Sequence, residues 1–152
     1  VIASLLPILR MVADAGIALG TGHGTSEETR VVVEAARKQG VGKIVVNHPE
    51  WATIDMSIED QKRLAEFDVF FERCYARNIG GKYDKNFRRN LDAMEALGFE
   101  STIVATDGGQ IENPMWSEAL AEYIAFLLQA GVPQSAVDRM TKVNPATVLG
   151  IA

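Results

Sequence analysis

The sequence predicts an α/β fold built on a parallel sheet, and three observations carry that prediction. Short apolar runs of strand type alternate with amphipathic stretches of helix length, the pattern of strand–helix–strand units joined by right-handed crossovers. Helical stretches close on a glycine before the next strand, at Gly16, Gly40 and Gly98. Three of the strands then hand over to a polar residue able to do chemistry: His23, His48 and Asp107.

In order, Ile2–Ala15 places Leu5, Ile8, Leu9 and Val12 at helical spacing, with Pro7 where only a first turn tolerates it well and Gly16 as the stop. Ile17–Leu19 is a short strand leading to Thr21-Gly22-His23-Gly24. Thr25-Ser26-Glu27-Glu28 fits a capping box, so a helix starts there, burying Val32, Val33, Ala35 and Ala36. Lys43–Asn47 reads as a buried strand running into His48-Pro49-Glu50-Trp51. Ser57 caps a helix through about Phe67, and Asp68–Glu72 is a third strand ending near Glu72, Arg73 and Cys74.

Tyr75–Tyr83 is polar, contains Gly80-Gly81 and reads as a loop. Asp84–Leu97 is a helix with Phe87, Leu91, Met94 and Leu97 inward. Ser101–Gln110 holds the central strand–turn: an apolar run from Thr102 to Ala105, then Asp107, then Gly108-Gly109, which permit a tight turn. Met115–Ala130 is an apolar helix whose stripe Trp116, Leu120, Ile124, Leu127 reads as core. Pro133 starts a helix through about Lys142. Asn144 and Pro145 read as N-cap and first residue of a last helix, stopped by Gly150.

With 47% hydrophobic and 23% charged residues over 152 positions, the chain suits one sizeable core. A net charge of −5 argues against nucleic acid as a partner. No apolar run reaches the ~20 residues of a membrane span, and no signal peptide is recognisable. Cys74 is the sole cysteine, which fits a reducing, cytoplasmic setting.

In a parallel sheet the residues past each C-terminal strand end gather on one rim, so His23, His48 and Asp107 are expected to converge. Two imidazoles and a carboxylate are a zinc-type ligand set. A cation so held lowers the pKa of a bound water, and an adjacent carboxylate can take the proton and return it to a leaving group. Taken singly, a histidine at a strand end is more often a capping or packing residue than a ligand. Glu72 reads as a salt-bridge partner of Arg73 or Arg77, Cys74 as a small buried hydrophobe, and Trp51 and Tyr83 as loop residues that could line a pocket.

The series TGH, VNHP and ATDGGQ with the closing NPATVLGI resembles the C-terminal half of metal-dependent hydrolases of the amidohydrolase superfamily, closest to the phosphotriesterase-like and TatD-like branches and a related group without assigned function. The resemblance implies half of a (β/α)₈ barrel. Residues 1–152 would then be a single partial domain, from the helix after strand four through strand eight and the C-terminal helices. It matches His23 and His48 to the metal ligands of strands five and six, and Asp107 to the metal-binding, proton-relaying acid of strand eight. The cofactor implied is a divalent metal, zinc above all, as one or two ions in the full-length protein. The implied substrate is a small molecule with an amide, lactone or phosphoester bond. The H-x-H pair of the family's first strand is not in this sequence, which opens on Val1. The chain is therefore expected to be a fragment, inactive alone, whose partner is the N-terminal half of the barrel or a second copy. A metal-dependent decarboxylase of the same superfamily and a non-catalytic α/β module are the alternative readings.

Overall fold

A computed structural model describes residues 3–79 and 82–151. Four parallel strands form one sheet in the order β1 (Ala18–Gly20), β2 (Lys43–Asn47), β3 (Phe70–Cys74), β6 (Thr102–Ala105). Helices α1 (Leu5–Asp14), α2 (Ser26–Lys38), α3 (Ile58–Ala65) and α4 (Phe87–Leu97) alternate with these strands, and α5 (Trp116–Gln129) follows β6. A short α6 (Gln134–Asp138), a π-helical turn (Arg139–Val143) and α7 (Asn144–Leu149) complete the chain.

Local sequence explains the boundaries. Thr25 accepts from the Glu28 N–H while the Glu28 carboxylate accepts from the Thr25 N–H, a complete capping box for α2. Ser57 caps α3 by accepting from the Asp60 N–H. Gly40 (φ +88°) and Gly98 (φ +87°) turn the chain back toward the sheet through backbone that side-chain-bearing residues rarely adopt.

The four strands follow one another across the sheet in sequence order, and the helices pack on one of its faces. Leu19, Ile44, Val46, Phe71 and Val104 point into that layer. There Leu9, Val33, Ala36 and Leu64 meet β2 and β3, and Leu91, Met94, Tyr123 and Leu127 meet β6. Burying each such Val, Leu, Ile, Phe or Met side chain stabilises the fold by roughly 1.5–3 kcal/mol. The alternate residues Val45, Phe70 and Ile103 point to the other face, are only half-buried, and belong to neither core cluster.

Several elements differ from the sequence reading. The third strand runs Phe70–Cys74 rather than Asp68–Glu72. Asp68 sits in a left-handed turn (φ +56°), and pairing with β6 carries the strand on through Arg73↔Val104 and Cys74↔Ala105. The expected loop at 75–83 contains an antiparallel hairpin, β4 (Ala76–Ile79) with β5 (Lys82–Lys85). Its strands lack the apolar alternation that would have revealed them, and Gly80-Gly81 lie outside the described residues. α4 therefore starts at Phe87, after β5, instead of Asp84.

On α5 the buried stripe is Ala119, Tyr123 and Leu127, while Trp116 is 62% exposed. Ile8 of α1, one of the apolar residues at helical spacing, is 55% exposed. Asn144 is no cap, because helical backbone continues through the π turn into α7. Its buried amide instead donates to the carbonyls of Glu100 (3.0 Å) and Thr102 (2.7 Å), pinning α7 to the start of β6.

Candidate functional site

β1 ends at Gly20 and β2 at Asn47, and the segments just beyond them carry His23 and His48. Gly22 (φ +66°) turns the first segment, and His48 is itself left-handed at φ +24°. The His48 turn is closed by Trp51 N–H donating to the His48 carbonyl and Met56 N–H donating to the Pro49 carbonyl, each at 2.9 Å. The two imidazoles meet although 25 residues separate them: their Nε2 atoms are 3.0 Å apart and their rings lie within 21° of parallel. Trp51 packs against both, with ring centroids at 4.9 and 4.8 Å.

A bond between two Nε2 atoms needs one as donor and one as acceptor, so at least one ring is neutral. His48 is buried, and its Nδ1 has no hydrogen-bond partner. A bare lone pair in that position costs less than a stranded N–H, so His48 is best placed as the Nε2–H donor and exposed His23 as the acceptor. Burial lowers the His48 pKa below its ordinary 6.5. The Asp107 carboxylate opposes this, His23 adds to it and Glu72 opposes it.

Asp107 follows β6 in a left-handed conformation (φ +50°) and is exposed. It acts on His48 through its charge. Among the described residues no hydrogen bond joins it to either ring, and no three His, Cys, Asp or Glu side chains stand together as a ready cation-holding group. Gly109 supplies the turn at φ +130°, and Gly108 lies so close to α5 that a Cβ there would meet the Trp116 Cβ at 3.2 Å. The 3.0 Å between the two Nε2 atoms is near the ~3.3 Å that bonds of ~2.0–2.1 Å in a tetrahedron set between adjacent ligand atoms of a zinc-type cation; here the two atoms bond to each other.

Glu72 is not paired with Arg73. Alternation along β3 puts the two on opposite faces. Glu72 accepts from Asn47 Nδ2 (2.8 Å), whereas Arg73 pairs with Glu50 behind the sheet. The side chains of Arg77 and Tyr83 lie outside the described residues. Cys74 is buried, and burial pushes its thiol well above the ordinary range, with Glu72 adding to the effect. The sequence reading overlooked Asn47, whose Oδ1 accepts from the Gly22 N–H (3.0 Å), and Glu50. A polar residue closing an otherwise apolar strand was the available signal for Asn47.

Residues 1–72 match a family described as a family of unknown function (DUF6282). No curated protein and no solved structure matches the chain. The matched stretch holds His23, Asn47, His48, Trp51 and Glu72, and Asp107 lies beyond it.

Proposed function

We propose that this chain carries part of the site of a metal-dependent hydrolase, on the C-terminal half of a (β/α)₈ barrel. The observation that supports it most is the meeting of His23 and His48, the only two histidines in the sequence, at one rim of a parallel sheet. His23 and His48 would hold the divalent cation, zinc by donor type, and Asp107 would complete the set. When bound, such a cation supplies Lewis acidity and eases deprotonation of water. Asp107, exposed at the mouth of the rim, takes the proton of the attacking water and returns it to the leaving group of an amide, lactone or phosphoester. Trp51 packs against both imidazoles and would help fix their orientation.

The barrel reading is supported by strands in strict sequence order with helices packed on one face. In that reading Val45, Phe70 and Ile103 line the barrel interior, and the N-terminal half or a second copy closes the sheet. No helix among the described residues is long and apolar enough to cross a membrane, and the single buried thiol suits a cytoplasmic setting.

Zinc titrated calorimetrically into the metal-free protein is expected to bind saturably, and His48→Ala to abolish that binding. Equal binding by both proteins overturns the proposal. The lack of a three-donor group among the described residues favours a second, non-catalytic reading, in which the rings cap strands. A protein carrying the full barrel that is well ordered without zinc and inert toward ester, lactone and phosphoester panels would support that one. Release of CO₂ from a carboxylate-bearing aromatic substrate would point instead to a decarboxylase on the same site.

A further inference from the structure

We infer that Asn47 is the positioning residue of the His23–His48 pair, bracing the segment after β1 and the Glu72 carboxylate across three strands. This rests on reading the two histidines as a functional site and adds what holds them in register.

Asn47 closes β2 and immediately precedes His48, and Gly22, which it binds, immediately precedes His23. The residue that holds Gly22 is therefore the backbone neighbour of one histidine, and the residue it holds is the backbone neighbour of the other. Its Oδ1 accepts from the Gly22 N–H at 3.0 Å, and its Nδ2 donates to Glu72 Oε2 at 2.8 Å. The amide has one workable orientation: flipped, it would set N–H against N–H on one side and oxygen against carboxylate on the other. The Asn47 N–H adds a longer bond to Thr21 Oγ1 at 3.3 Å.

The tether matters because His23 is exposed and flanked by Gly22 and Gly24, a segment with wide backbone freedom of its own. Nothing else described on that segment reaches across to β2 beyond the Thr21 N–H bond to the Val45 carbonyl and the Thr21 hydroxyl. Room for the brace comes from Gly20. A Cβ there would stand 2.9 Å from Asn47 Oδ1, so a side chain obliges that oxygen to shift. Gly20 thus serves by leaving space; its φ lies outside the left-handed range.

The test reads the Nε2–H···Nε2 bond directly, as the two-bond ¹⁵N–¹⁵N coupling between the two imidazoles of metal-free, ¹⁵N-histidine-labelled protein. The coupling is expected in the wild type. It should vanish in Asn47→Leu, which keeps volume but no polar group, and survive in Asn47→Asp combined with Glu72→Gln, which keeps the acceptor for Gly22 and lets position 72 donate where it accepted. Gly20→Val, whose branched side chain fills the space of the amide oxygen, should abolish it with Asn47 still present, and decides the matter should Asn47→Leu fail to fold. Coupling absent from the wild type, persisting in a folded Asn47→Leu or Gly20→Val, or lost in the Asn47→Asp, Glu72→Gln double variant overturns the inference. Zinc titration of the same wild-type sample separates the two levels: no zinc binding with the coupling intact removes the hydrolase reading and leaves the brace.

Discussion

On the helix-covered face of β3, Arg73 is completely buried. Its guanidinium pairs with Glu50, donates to Gln61 Oε1 (2.9 Å) and Thr102 Oγ1 (3.3 Å), and stacks over Phe71 at 5.2 Å. One residue earlier, on the open face, Glu72 is half-buried and accepts from a neutral amide at 2.8 Å. The two faces use charge for different ends. Behind the sheet the ion pair is enclosed, tying the turn after His48 to the strand, and burial pushes the Glu50 carboxyl up while Arg73 opposes it. On the open face the carboxylate stays near water, its charge acts on His48, and its bond orients Asn47. Adjacent residues thus serve the fold and the candidate site separately because a strand sends alternate side chains to opposite faces.

The largest effect expected from breaking this division lies behind the sheet. Arg73→Met strands the Glu50 carboxylate in the core and should cost about 3–5 kcal/mol in urea unfolding. Arg73→Met with Glu50→Leu and Gln61→Leu should recover most of that loss, since the charge and the buried amide that depends on both partners are removed together. A triple variant as unstable as the single one would show that the pair does more than satisfy itself.

That asymmetry was only half legible in the sequence. The strand–helix alternation, the capping box at Thr25 and the glycine stops are local signals, and they placed α2 and β2 closely. The meeting of His23 with His48 followed from a general rule, since parallel neighbours share a rim. Arg73 and Glu50 escaped notice because their partnership is set by which face each residue meets. The strand as read, Asp68–Glu72, also stopped one residue short of Arg73, which lies inside β3. Asn144 failed for a similar reason: Asn-Pro signals a helix start locally, but the buried carbonyls of Glu100 and Thr102 claimed its amide. The hairpin at 76–85 carried no apolar alternation at all.

The next effect is smaller and belongs to the rim. His48 has its pKa lowered on folding, so between that value and 6.5 the unfolded chain binds a proton that the folded chain refuses. The contribution is fully present above pH 6.5 and is lost as pH falls through the window below it, with a slope of at most about 1.4 kcal/mol per pH unit for one proton. Thermal unfolding followed from pH 8 down to pH 5 should show this decline, less steep in His48→Gln by the share of that one group. Identical slopes in the two proteins would mean that His48 titrates alike in the folded and unfolded chains.

Smallest of all should be Glu72→Gln. The new amide can still accept from Asn47, so at neutral pH only the charge assistance of one half-buried hydrogen bond is lost, below about 1 kcal/mol. Its informative consequence is at acid pH. The Glu72 charge favours the protonated form of His48, so removing it pushes the folded-state pKa further down. The window of declining stability should then extend to lower pH, with its upper edge unmoved because the unfolded chain is unchanged. An NMR titration of the His48 ring in Glu72→Gln checks the shift directly. A midpoint that stays put or rises would mean that the open-face carboxylate is screened from the rim, and that the two faces of β3 differ in burial alone.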